Sequence, residues 1–303
     1  MSVPSARPAR RRVSGAAPAL ALALVAAPAA VLAQAGPAGA AAATATATVQ
    51  NGVAVYTAAA GQTNKVSATA TDLGGLQTIR YVIDDTVPIT PGTGCTRAGT
   101  DATQVVCDVT TYDSQDPYAT LTVSLGDRND VVSYANTTGQ DYYFADFDLG
   151  SGNDTFKDTG SVDGNTVDGG SGADHLTVGP VDVALGGTGD DTIVAARGTI
   201  AQGGAGRDTI TLTGASAYAD GGADADLLYG GAGEQSLSGG AGNDTVRAGT
   251  GNDRVYGGTG NDVLYGNSGN DTIYGNSGND RLYGGPGTDT LSGGPGSDLV
   301  HQS

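Results

Sequence analysis

Between residues 221 and 301 an apolar residue returns at every ninth position: Leu228, Leu237, Val246, Val255, Leu264, Ile273, Leu282, Leu291 and Val300. Neither the 3.6-residue period of a helix nor the two-residue alternation of a half-buried strand produces this spacing. The stretch tiles without a gap into nonapeptides: GGADADLLY, GGAGEQSLS, GGAGNDTVR, AGTGNDRVY, GGTGNDVLY, GNSGNDTIY, GNSGNDRLY, GGPGTDTLS and GGPGSDLVH. The second position is Gly or Asn, the fourth is Gly in eight of nine, the sixth is Asp in eight of nine, and the eighth is Leu, Ile or Val in all. Gly and Asn tolerate positive φ, so six residues read as a turn and the last three as a strand with one inward side chain. A strand that short must pair with copies of itself, as in a solenoid. If two nonapeptides make one coil, residues eighteen apart stack and the turns form two edge columns. One column opens at 221, 239, 257, 275 and 293, the other at 230, 248, 266 and 284.

The same reading extends upstream with less regularity. Turns recur at GGSGAD (169), GGTGDD (186) and GGAGRD (203), with weaker copies LGDRND (125) and LGSGND (149), while the stretches between them lack the glycine-aspartate pattern. The first column therefore continues toward the N-terminus and the second does not. Residues 48–123 carry alternating runs such as NKVSATAT, TIRYVID, TQVVCDV and ATLTVSLG, and Asn51-Gly52 sits between two Val-rich runs as in a tight hairpin. The expected fold is all-β, a parallel β-roll or β-solenoid behind a small N-terminal all-β region. Its expected parts are 124–220 as degenerate coils and 221–301 as regular ones.

Composition supports a thin, repetitive core, with 51 glycines, no tryptophan and three phenylalanines among 303 residues. Residues 1–35 resemble an export signal: basic RPARRRV, an Ala/Leu/Val stretch, and a small-residue site ending at Ala35. The apolar stretch, broken by Pro18 and Pro28, is too short for a membrane span, so no anchor is expected in the mature chain. Residues 36–47 read as a low-complexity tether, and the destination as secreted or extracellular. Cys95 and Cys107, the two cysteines, are then expected to form a disulfide across a Gly/Pro-rich loop. The formal charge of −18, carried by 32 acids against 14 Lys and Arg, argues against nucleic acid as a partner.

Aspartates stacked at the roughly 4.8 Å spacing of strands repel unless a cation lies between them. Calcium suits such a row, because it takes six to eight oxygens in flexible geometry, whereas magnesium demands a strict octahedron and transition metals prefer His or Cys. The run resembles the RTX, or haemolysin-type, calcium-binding nonapeptide G-G-x-G-x-D-x-U-x, with U a large apolar residue. That resemblance implies a right-handed β-roll with several calcium ions held between successive turns on each edge. The implied carboxylate ligands are Asp226, Asp244, Asp262, Asp280 and Asp298 on one edge and Asp253, Asp271 and Asp289 on the other, with Asp174, Asp191 and Asp208 continuing the first. The implied backbone ligands belong to Gly240, Gly242, Gly249, Gly251, Gly258, Gly260, Asn267, Gly269, Asn276, Gly278, Gly285, Gly287, Gly294 and Gly296. Gln235 at a sixth position and Asp224 at a fourth should weaken or distort their sites.

Enzymes of this family carry separate catalytic domains, but H-E-x-x-H, G-x-S-x-G and a G-K dipeptide are all absent, and the histidines are His175 and His301. The expectation is a non-enzymatic, structural or adhesive calcium-binding protein. The alternative is a polysaccharide-binding or polysaccharide-modifying β-helix using QDYYFADFD (140–148), a stretch otherwise read as an aromatic coil of the roll. Asn243, Asn252, Asn261, Asn270 and Asn279 at fifth positions are expected to brace the turns, and Tyr229, Tyr256, Tyr265, Tyr274 and Tyr283 to pack over the strands.

Overall fold

Inward side chains at the eighth repeat position stack directly on one another through two long sheets. In the first sheet Leu237 pairs with Val255, Val255 with Ile273 and Ile273 with Leu291. In the second, Leu228, Val246, Leu264 and Leu282 follow one another in the same way. The computed structural model describes residues 43–302 except 75–77, 112–117, 140–142 and 161–163. The expected signal segment, most of the tether and Gln140 to Tyr142 lie outside the described residues. Among the described residues there is no helix, and strands alternate between a 13-stranded and a 14-stranded sheet, parallel neighbours all through the roll. Each coil runs first sheet, turn, second sheet, turn, which is the eighteen-residue stacking expected from the nonapeptides.

Two features differ from the expectation. Most regular strands span six residues rather than three, as in Thr245–Thr250 and Arg254–Thr259. Pairing resumes after the first glycine of each turn, so Gly240 pairs with Gly258 and Ala241 with Thr259. The turn thus bends at one residue and then rejoins the ladder. The strands of 48–123 are also continuous with the roll: Val53–Thr57 pairs parallel with Tyr118–Ser124, and Lys65–Asp72 with Val131–Asn136. The first strand begins at Ala45.

The Asn51-Gly52 hairpin forms as expected, with Gln50 paired to Val53 and positive φ at both turn residues. Thr78–Asp84 then pairs antiparallel with Lys65–Asp72 and with Gln104–Thr110. The Gly/Pro-rich loop contains two short strands, Ile89–Pro91 and Cys95–Arg97, and the second places Cys95 opposite Cys107 in a disulfide.

Coil size sets the core. At the N-terminal end, where successive turns are 24 and then 20 residues apart, the interior holds Tyr134, Phe147 and Phe156, with ring centroids 5.0 and 4.7 Å apart. Where coils shorten to 17 or 18 residues, Ala, Val, Ile and Leu fill it. Tyr143, Ala145 and Phe147 of the 140–148 stretch point into this core, as expected for an aromatic coil.

A turn is strained where a side chain takes the place of a glycine. Arg128, at the fourth position of LGDRND, has φ of 85°, where regular turns have glycine. A side chain in this region costs about 1–2 kcal/mol, partly offset by the entropy that glycine loses on folding. Its ion pair with Asp127, at 3.9 Å and well exposed, adds little. Arg128→Gly is therefore expected to stabilise the protein by about 1 kcal/mol, read as a higher melting temperature by calorimetry; an unchanged or lower one would refute the strain argument.

Candidate metal sites

The turn that carries each sixth-position aspartate is shaped by its glycines. Positive φ occurs at the second position in eight of the nine regular turns, including Asn267 at 68° and Asn276 at 69°; Gly231, beside Gln235, is the exception. A side chain on the first glycine would strike the carboxylate of its own turn and the carbonyl of the next: a Cβ on Gly239 would overlap Asp244 Oδ2 and lie 2.6 Å from Gly257 O. Glycine there leaves a cradle in which a carboxylate oxygen and a carbonyl oxygen from successive coils converge.

The aspartates on the first edge form a single row. The backbone N–H of each donates to Oδ1 of the next, from Asp174 through Asp191, Asp208, Asp226, Asp244, Asp262 and Asp280 to Asp298, at 2.8 to 3.0 Å. On the second edge Gln235, Asp253, Asp271 and Asp289 are linked in the same way. Fifth-position asparagines brace the turns in the opposite direction, Asn243 Oδ1 accepting from Asn261 N–H at 2.7 Å and Asn252 Oδ1 from Asn270 N–H at 2.8 Å. Each coil is thus clamped to the one before and the one after.

The second carboxylate oxygen decides the chemistry. Oδ2 of Asp174, Asp191, Asp208, Asp226, Asp244, Asp253, Asp262, Asp271, Asp280 and Asp289 is buried with no hydrogen-bond partner. No Lys or Arg reaches these rows among the described ion pairs. Burial, with neighbouring carboxylates adding to it, pushes Asp191 and Asp226 up to about 7 and Asp208, Asp253 and Asp262 up to about 6. Leaving so many buried oxygens unpaired is costly, and a hard cation supplies what they lack. Among the described residues no three acidic, His or Cys side chains cluster tightly enough to hold a metal. That follows from one aspartate per coil: two carboxylates meet at most, and turn carbonyls must supply the other ligands. An all-oxygen set of this kind fits calcium.

Gln235 fills its place differently. Its Nε2 donates to Ala232 O at 3.0 Å and Gly214 O at 3.2 Å, so an amide occupies carbonyls that a cation would otherwise share. Asp224 takes the strained φ of 77° expected of a residue in a glycine position. Three acids were not singled out from the sequence. Asp130 and Asp154 join the first row, and Asp182 is buried on the second edge. Asp182 is not of the same type: Gly164 and Asn165 N–H donate to its Oδ1 and Gly179 N–H to its Oδ2, satisfying both oxygens. Of the histidines, His175 directly follows Asp174 and is exposed, and His301 is exposed with its ring on Tyr283.

No curated protein matches the chain. The family model of the RTX calcium-binding nonapeptide repeat (4 copies) matches at 159–180, 181–199, 213–246, 230–264, 238–273 and 265–300. These matches fall on the stacked glycine turns and their rows of half-satisfied carboxylates. Residues 159–199 and 213–300 are therefore RTX calcium-binding nonapeptide repeats, a repeat type that binds calcium ions, and here their turns line the edges of a β-solenoid.

Proposed function

We propose that this is an exported protein whose roll folds on calcium and serves a structural or adhesive role outside the cell. The observation that carries the reading is the row of buried, unpartnered Oδ2 atoms. Two carboxylates about 5 Å apart repel by about 3 kcal/mol at an effective dielectric of 20, and the slim Leu/Ile/Val core has little to set against a long row of them. The proposed ligands are Asp174, Asp191, Asp208, Asp226, Asp244, Asp262, Asp280 and Asp298 on the first edge and Asp253, Asp271 and Asp289 on the second, with the turn carbonyls around them. The basic and apolar N-terminal segment supports export to a compartment where millimolar calcium is available.

Circular dichroism tests the coupling. The β signal should be lost in excess EGTA and return in millimolar calcium; identical spectra in both would sink the reading. Support for an adhesive role comes from the outer faces, where Tyr256 stacks on Tyr274 at 5.6 Å, Tyr265 on Tyr283 at 4.9 Å, and Arg247 lies 4.3 Å over the Tyr265 ring. The second reading, a polysaccharide-modifying surface, draws on Asp146 and Asp168, outward carboxyls of neighbouring strands that desolvation pushes upward. Assays on uronate polysaccharides with and without calcium separate the two: turnover would replace the structural reading.

A further inference from the structure

The first-edge row does not stop where the nonapeptide match begins. Asp154 N–H donates to Asp174 Oδ1 and Asp130 N–H to Asp154 Oδ1, both at 2.7 Å. Both aspartates are 1 % exposed, and Oδ2 of each is unpartnered, as in the matched turns. Among the described residues, the buried acids outside the rows do not share that property. Asp182 is saturated by backbone N–H groups, and Asp85 accepts from Lys65 N–H, Thr86 N–H and the Tyr56 hydroxyl.

The backbone around the two aspartates is that of the regular turns. Gly126 and Arg128 in one, Gly150 and Gly152 in the other, have positive φ at the second and fourth positions. A Cβ on Gly150 or Gly152 would overlap the carbonyls of Gly126 and Arg128, just as one on Gly240 or Gly242 would overlap those of Gly222 and Asp224. Asp127, Ser151 and Ser171 continue the third-position ladder as parallel bridges. The carbonyls are therefore curled and stacked as they are downstream. What differs is the first position, where Leu125 and Leu149 stand in place of the glycine that leaves the cradle downstream; both are buried in the core at 1 and 0 % exposure, and Oδ2 of Asp130 and Asp154 stays buried without a hydrogen-bond partner, so these two sites are narrower than the regular ones.

We propose that calcium also binds between the turns at 125–130 and 149–154 and between those at 149–154 and 169–174, two coils beyond the matched repeats. This rests on the calcium reading above. The row ends one turn further up at Asn64, which brings no carboxylate and whose turn has positive φ at the single Gly61. Calcium in these two sites ties the aromatic-cored coils to the regular roll, so metal-dependent stability reaches the coil that adjoins the disulfide-bearing strands.

The test counts ions bound by the full chain in equilibrium dialysis, for the wild type and for Asp130→Asn, Asp154→Asn and Asp182→Asn. Asp154→Asn, which belongs to both sites, should lose both ions, Asp130→Asn one, and Asp182→Asn none. Wild-type binding with counts unchanged in Asp130→Asn and Asp154→Asn overturns this proposal while leaving the downstream sites intact. A wild type that binds no calcium overturns the underlying reading and this one with it. Because a variant can fail to fold, hydrogen exchange on the wild type provides a second readout. Added calcium should protect the amides of 125–155 together with those downstream, and protection that begins only near 169 overturns the proposal.

Discussion

Gly260→Val is expected to split the roll. The residue sits at the fourth position of the turn 257–262 with φ of 134°, and a Cβ there would overlap the carbonyl of Gly242 in the coil below. Backbone cannot move aside as a flexible side chain can, so the two turns must separate. Separation breaks the Asp244 N–H to Asp262 Oδ1 bond at 2.9 Å and the Asn261 N–H to Asn243 Oδ1 bond at 2.7 Å, and pulls apart the cradle at Gly239. Backbone strain of about 1–3 kcal/mol and about 1–3 kcal/mol for each buried group left unpaired bring the expected loss to at least about 4 kcal/mol. A solenoid is stabilised by contacts between neighbouring coils, so a fault in the middle should leave two weaker blocks that melt separately. Thr259→Ala, at the exposed third position of the same turn, should change stability by no more than about 0.5 kcal/mol. Thermal melts in saturating calcium decide the matter: a single transition for Gly260→Val within a few degrees of the wild type would refute the stacking argument.

The parts of this structure legible in the sequence are those fixed by a local, repeated cause. The eighteen-residue stacking, the left-handed turns at Asn267 and Asn276, and the bracing by Asn243 and Asn261 all follow from one nonapeptide considered against its copies. Longer-range causes were less visible. That Val53–Thr57 would join Tyr118–Ser124 as a parallel neighbour, making the N-terminal strands part of the roll, depends on partners far apart in the chain. The turns holding Asp130 and Asp154 read only as weaker copies, and the two aspartates were not counted with the row, because coils of 24 and 20 residues break the period and leucine replaces the first glycine. Asp182 shows the opposite problem: it lies in a stretch without the motif, and only its hydrogen bonds reveal a buried carboxylate used as a backbone cap.

Without calcium, the roll should become more stable as the solution is acidified from about pH 7.5 toward about pH 5. Burial raises Asp154, Asp191 and Asp226 to about 7 and Asp130, Asp208, Asp253 and Asp262 to about 6, against a usual aspartate value near 4. Between these limits the folded chain holds more protons than the unfolded chain, so stability falls as pH rises. The contribution is complete below about pH 4 and lost by about pH 7, with each carboxyl adding up to about 1.4 kcal/mol per pH unit in between. Protonation does for the metal-free rows part of what calcium does at neutral pH: it removes the charge that burial and stacking penalise. Calcium binding requires ionised carboxylates, so the loaded roll should follow the reverse trend and weaken on acidification. In EGTA the β signal lost at about pH 7.5 should therefore recover toward about pH 5, whereas in millimolar calcium the melting temperature should fall over the same interval. A metal-free protein that melts higher at neutral pH than at about pH 5 would show that its aspartate rows are not held as buried, unpaired carboxyls in the absence of the ion.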